Sequence, residues 1–304
     1  MNPGSARVAA AAVPGCQHVL ANGKPCQDAV GTRVKSGVVL IAAADGHGDA
    51  AYVCSDEGAR IAVAVALDVL ESVARVVQPI GTDEPARSSE GVQRPGDLTE
   101  SLKRRVAFEW NRRVKHHARM VANRDEGTIL WPAGVTGEWD DAVRRYGCTL
   151  LAGAFGPAGS LWFQIGDGDM LNLDSAGVRR VFPAPDKSMG QETWSLSMRD
   201  CVERMQVRLD PPGCEMAVLA TDGVSDQYAA ASDAGDAAPT FEDEWGTKME
   251  ERIATRGWAD TMLDLPRWLA MLARDGDDAS VAIAWLGRFD DGLVHDAGVG
   301  PEVT

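Results

Sequence analysis

Every residue from Val38 to Ala44 is apolar, and the run stops abruptly at Asp45-Gly46-His47-Gly48-Asp49. A short apolar run bounded by glycine predicts a strand buried on both faces. The pattern recurs at 162–165, which runs into Gly166-Asp167-Gly168-Asp169, and at 216–220, which runs into Thr221-Asp222-Gly223. Three predicted strands therefore end in Asp-Gly, and a carboxylate at the end of a buried strand needs water or a cation.

Between these runs the period changes. Residues 59–77 predict a helix that is apolar on nearly every face from 61 to 70, so it packs against a sheet. Ser55 is its expected N-cap, with Asp56 and Glu57 at its positive end. Residues 97–123 predict a long basic amphipathic helix, opened by a capping box of Asp97 and Glu100 and carrying Leu102, Val106, Phe108, Trp110, Val114 and Met120. Its Lys and Arg residues suit either a solvated face or a docking face. Proline and glycine mark 78–96 and 127–139 as irregular, with a short helix after the second.

Closely spaced strands follow at 148–155, 161–165, 170–173 and 178–182, expected as one antiparallel meander. A polar connector at 183–197 leads to a strand at 202–209 and the buried run at 215–220. Two helices at 242–255 and 258–273 precede a last strand at 280–286. Residues 16–29 read as a short strand, an Asn22-Gly23 turn, and Asp28 opening a second strand. The expected fold is α+β: two antiparallel sheets forming a central sandwich, with helices outside it. The expected organisation is a leader or edge strand at 1–15, a single domain at 16–290 with an insertion at about 78–145, and an acidic tail at 291–304.

Charge narrows the function classes. With 45 Asp and Glu against 30 Lys and Arg, the net charge is -15, which disfavours nucleic acid and anionic membranes as partners. The six cysteines are scattered without a Cys-x-x-Cys pair, as expected of reduced thiols in a cytoplasmic protein. No run of about 20 apolar residues predicts a membrane span.

The Asp-Gly corners carry the candidate chemistry. One Asp-Gly alone is most often a turn. If Asp45, Asp167, Asp222 and Asp277 converge, however, carboxylates ~4 Å apart repel by roughly 4 kcal/mol each at an effective dielectric near 20, so the cluster requires cations. Oxygen ligands select Mg²⁺ or Mn²⁺ over zinc, and Gly46 leaves room for its own carbonyl beside the metal. Paired hard cations activate a water and clamp a phosphoryl group, which suits phosphate monoesters. His47 is either a structural histidine or the acid that protonates the leaving alkoxide.

In order along the chain stand Gln27-Asp28-Ala29, Asp45-Gly46-His47-Gly48, Gly147-Cys148-Thr149-Leu150, Ile165-Gly166-Asp167, Thr221-Asp222-Gly223-Val224-Ser225-Asp226 and Asp277-Asp278-Ala279-Ser280. This series resembles the type-2C metal-dependent protein serine/threonine phosphatases over nearly the whole chain. The start, through Gly23-Lys24-Pro25-Cys26-Gln27-Asp28-Ala29, is similar to a bacterial subgroup. The resemblance implies a two-sheet sandwich with two Mn²⁺ or Mg²⁺ ions at one end. Asp45 would bridge them, Gly46 would add its carbonyl, Asp222 and Asp277 would complete the first ion, and Asp28 would lie outside the second. Asp167 with Asp222 would hold a third, weaker ion, and His47 matches the general acid.

The chain departs from the family in the connector from Pro183 to Arg199, which is short and lacks the usual arginine-containing flap signature, and at three further places. Asp49 replaces a frequent glycine, Gly-Asp-Gly-Asp replaces Gly-Asp-Ser-Arg, and Lys24 stands where an arginine often grips phosphate, offering a point charge in place of a bidentate fork. The expected activity is hydrolysis of phosphoserine or phosphothreonine in a protein, opposing a Ser/Thr kinase. The alternative is a phosphatase-fold regulatory or binding module with weak or no turnover, and a two-metal nuclease is disfavoured by the charge.

Overall fold

The computed structural model describes residues 6–16, 25–78, 95–124, 139–183, 193–232 and 239–287. Lys24, the Asn22-Gly23 turn, most of the two irregular segments and the acidic tail 291–304 lie outside the described residues.

Alternation along β3 (Val38–Ala44) explains the architecture. Val39, Ile41 and Ala43 face the space between two sheets, whereas Val38, Leu40, Ala42 and Ala44 face α1 (Ser55–Val73). A strand buried on both faces must lie in a middle layer. One sheet has the order β2 (Ala29–Lys35), β3, β4 (Leu150–Gly156), β5 (Gly159–Ile165) and β8 (Gln206–Asp210). The other has the order β1 (Arg7–Val13), β10 (Ala279–Trp285), β9 (Met216–Ala220), β6 (Asp169–Asp174) and β7 (Gly177–Arg180). All these pairings are antiparallel.

Outside the first sheet lie α1 and then α2 (Pro95–Arg124), followed by the short α3 (Trp139–Arg144) and α4 (Cys201–Arg204). Outside the second lie α5 (Asp222–Ser232), α6 (Lys248–Arg256), α7 (Trp258–Leu263) and α8 (Leu265–Leu272). The expected α+β sandwich is therefore present, and residues 7–13 form its edge strand.

Several local expectations are corrected. The meander is two hairpins in different sheets: β4–β5 belong to the first and β6–β7 to the second. The chain crosses between them at Gly166, whose φ of 110° suits glycine, and an added Cβ would lie 2.5 Å from Thr149 Cβ. Ser55 opens α1 from inside the helix and makes no cap; its buried hydroxyl instead accepts a hydrogen bond from Gln27 Nε2. Helix α2 begins at Pro95, so Asp97 lies in its first turn. The strand expected at 202–209 starts with the turn α4, and the helix expected at 258–273 breaks before Pro266, whose ring has no N–H to continue it. Helix α5, directly after β9, was not anticipated.

Candidate functional site

Strand register brings the acidic corners together. Ala29 pairs with Ala44, Ala43 with Leu151, and Leu150 with Ile165, so Asp28, Asp45, Thr149 and Gly166 lie at one end of the first sheet. In the second sheet Ala220 pairs with both Asp169 and Val281, which sets Thr221, Asp222 and Asp277 at one end. A hydrogen bond from Thr221 Oγ1 to Asp28 Oδ2, 2.8 Å long, joins the two ends across the sandwich.

Asp45 is the centre. Its backbone is fixed by exchange with Thr149: Thr149 N donates to Asp45 O at 2.8 Å, and Asp45 N donates to Thr149 Oγ1 at 3.0 Å. Burial first, and then the charges of Asp28, Asp222 and Asp277, hold the Asp45 carboxyl well above the usual carboxylate range. The sequence-derived set Asp28, Asp45, Asp222 and Asp277 thus acts on one point. Asp28 is itself buried, and its carboxyl is pushed from 3.8 up to about 8 by burial, with Asp278 adding to the rise and Thr221, Ser280 and Asp45 opposing it. Asp28 Oδ1 is buried and accepts no hydrogen bond.

Asp167 stands after β5, where Thr193 Oγ1 donates to its Oδ2 at 2.9 Å and its Oδ1 is buried without a hydrogen-bond partner. It is not among the charges that dominate at Asp45. Among the described residues no three His, Cys, Asp or Glu side chains close into one metal cage. The donor chemistry nevertheless fits hard divalent ions. Every side-chain donor is a carboxylate oxygen, two of those oxygens are buried with no hydrogen-bond partner, and the charges that dominate at Asp45 are all carboxylates. Gly46 has no room for a side chain: an added Cβ would lie 2.7 Å from Gln27 O and 2.8 Å from Ser55 O, so only glycine brings this backbone so close.

His47 is held by its main chain on both sides. Its N–H donates to Gly147 O at 3.1 Å, its carbonyl accepts from Gln27 Nε2 at 3.3 Å, and its ring meets Tyr52 edge-on with centroids 4.8 Å apart. Asp49 is exposed and turned to its own loop, where Oδ1 accepts from Ala51 N at 2.8 Å.

Four residues that bind this end together were missed in the sequence: Gln27, Thr221, Asp278 and Ser280. Asp278 is buried and uses both oxygens, taking Gly15 N at 2.7 Å and Gln27 N at 2.5 Å. It therefore fastens the segment carrying Asp28 to the segment carrying Asp277. Thr221 Oγ1 receives the Ser280 N–H at 3.1 Å and donates onward to Asp28. The available signal was adjacency, since three of the four stand next to an aspartate of the motifs.

A sequence profile of the family described as Protein phosphatase 2C matches residues 15–270. No curated protein matches the chain. Among solved structures, the chain is similar to the catalytic domain of the serine threonine protein phosphatase PstP in complex with two manganese ions, at 19% identity and a TM-score of 0.51, covering 92% of this chain and 97% of that one. It is similar to a bacterial serine phosphatase at 12% identity and a TM-score of 0.56, covering 93% and 99%. It is also similar to the serine/threonine phosphatase Stp1 from Staphylococcus aureus at 12% identity and a TM-score of 0.53, covering 92% and 94%. At these identities the likeness is one of fold.

Proposed function

The chain belongs to the protein phosphatase 2C family, and from that premise we propose that it is a metal-dependent phosphatase acting on phosphoserine and phosphothreonine in proteins, opposing a serine/threonine kinase. The observation that carries this reading is the convergence of Asp28, Asp222 and Asp277 on Asp45, with Asp28 Oδ1 buried and unpaired.

Asp45, Asp28, Asp222, Asp277 and the carbonyl of Gly46 would hold two Mn²⁺ or Mg²⁺ ions, and Asp167 with Asp222 a third, weaker one. Bound ions of this kind supply charge neutralisation at the phosphoryl oxygens and a nucleophilic water near neutral pH. The chain supplies the rest. Thr221 and Asp278 keep the Asp28 segment in place, Thr149 fixes Asp45, and Gly147 with Gln27 fixes the backbone of His47. His47 would protonate the departing serine or threonine oxygen, the general-acid task most often given to an imidazole. Lys24 is proposed to grip the phosphate.

Release of orthophosphate from a phosphothreonine peptide tests the reading. Turnover that appears with Mn²⁺ and disappears on chelation supports it. Mn²⁺ binding without turnover would favour a regulatory module.

Two further outcomes are expected. Tyr52→Ala removes the edge-to-face wall of His47, an aromatic contact of about 0.5–1.5 kcal/mol, so kcat on an alkyl phosphate falls roughly 2–10-fold while KM stays constant. Tyr52→Phe keeps the ring and stays near wild type; equal losses in both variants would contradict ring support.

Mn²⁺ raises the melting temperature, and does so more at pH 8 than at pH 6. In the metal-free folded chain Asp28 holds its proton up to about pH 8, whereas the unfolded chain releases it near 3.8. The folded state thus binds more protons across this window, and its stability from this group falls as pH rises. Near pH 8 the metal competes with fewer protons, and saturation at about 100 times Kd adds about 2.7 kcal/mol per site. Differential scanning fluorimetry checks this, and a larger gain at pH 6 would overturn the assignment of Asp28.

A further inference from the structure

Helix α2 carries two ladders with the same spacing. Leu102, Val106, Trp110, Val114 and Ala118 recur every fourth residue and are all buried. Arg104, Phe108, Arg112, His116 and Met120 recur at the same interval, two positions out of step, and are all exposed. Two positions correspond to about 200° around a helix, so the ladders lie on opposite faces. The exposed one is unusual in its apolar content, with Phe108 65% and Met120 43% exposed.

Its charge is also out of keeping with the molecule. The helix holds eight Lys and Arg against three Asp and Glu, in a chain whose net charge is -15. Arg113 and Arg105 turn inward, to Asp68 at 2.6 Å and to Ser72 Oγ at 2.8 Å on α1. Arg104 and Arg112 pair with Glu100 and Glu109 of their own helix, and their side chains stay 72% and 58% exposed. Such exposed pairs are worth little and exchange readily for a better acceptor.

A neighbouring residue of the same helix, outside the ladder, reaches toward the site. At the C-terminal part of α2, His117 Nδ1 lies 2.9 Å from Tyr146 Oη, and Tyr146 is followed by Gly147, whose carbonyl takes the His47 N–H. From Arg104 to His116 the helix rises roughly 18 Å, the length of about five extended residues.

We propose that this face of α2 docks an acidic segment of the phosphoprotein substrate, with carboxylates on Arg104 and Arg112 and an apolar side chain on Phe108 between them. The inference rests on the phosphatase reading and names the kind of substrate that site receives.

Binding and turnover test it separately. A fluorescein-labelled, unphosphorylated six-residue peptide of Asp and Glu around one Leu is titrated with the intact protein at low salt and followed by anisotropy. Arg104→Glu with Arg112→Glu is expected to weaken binding roughly 10-fold or more, since both contacts turn repulsive. Phe108→Ala weakens it several-fold. Arg256→Glu, an equal change of charge per site on a helix outside the opposite sheet, leaves it within about 2-fold.

With a phosphopeptide bearing the same acidic flank, kcat/KM falls in the double variant while hydrolysis of p-nitrophenyl phosphate does not change. The anisotropy readout needs no catalysis, so an inactive protein would overturn the phosphatase reading and leave this test standing. Equal binding by wild type and the double variant overturns the docking face, as does a short DNA duplex bound more tightly than the peptide with the same sensitivity to Arg104 and Arg112.

Discussion

Asp45→Asn is expected to lower Mn²⁺-dependent hydrolysis of a phosphomonoester by at least about 100-fold, because loss of even an outer-shell partner of a metal ligand costs 10–100-fold. The substitution removes a carboxylate on which Asp28, Asp222 and Asp277 all act. It leaves the backbone exchange with Thr149 available, because those bonds use Asp45 N and O. Folding should therefore survive. The metal-free variant should even gain stability, since one member of a group of mutually repelling carboxylates becomes neutral. Kinetics with saturating Mn²⁺ and a melting curve without it, measured on the same preparation, check both parts. Activity within a few-fold of wild type would remove Asp45 from the centre of the site.

Trp110→Ala is expected to cost about 3–5 kcal/mol of stability, the usual range for deleting a large buried aromatic side chain. Trp110 is fully buried, and its Nε1 donates to Gly58 O at 3.1 Å in the first turns of α1. That turn is tied onward, since Gly58 N donates to Cys54 O and Cys54 N to Arg145 O, two residues before Gly147. The damage should therefore reach His47 as well as the melting temperature, which at about 2–4 °C per kcal/mol falls by roughly 6–20 °C. Urea denaturation of wild type and variant gives the stability directly. A change below 1 kcal/mol would mean that α2 is not fastened to α1 through this side chain.

The ligand-bearing corners were legible because each combines two strong local signals, an apolar run and a terminal Asp-Gly. Asp45 and Asp222 carry both signals, Asp277 was placed from the acidic segment just before the last strand, and Asp28 needed the turn before it. The fold class followed from strands without polar alternation, such as 38–44, which must be covered on both faces.

What escaped depends on partners far apart in the chain. Asp278 reaches Gly15 and Gln27, more than 250 residues away, and nothing in Asp277-Asp278 says which aspartate faces the site and which acts as a clasp. The transfer of the chain between sheets at Gly166 was hidden because two hairpins in one sheet and two in different sheets have the same local turn signals. Helix α5 was hidden because Asp222-Gly223 reads equally as a turn after β9 and as the first residues of a helix. Lys24 lies outside the described residues, so its part in gripping phosphate stands as a proposal.

The proposed function rests on the acidic end of the sandwich binding two metal ions around Asp45. Calorimetric titration of the chelator-treated protein with Mn²⁺, beside Asp45→Asn, tests it most directly. Two equivalents are expected to bind to the wild type, with a loss of affinity of at least about 10-fold in the variant. No binding by the wild type, or the same stoichiometry and affinity in both proteins, would contradict it.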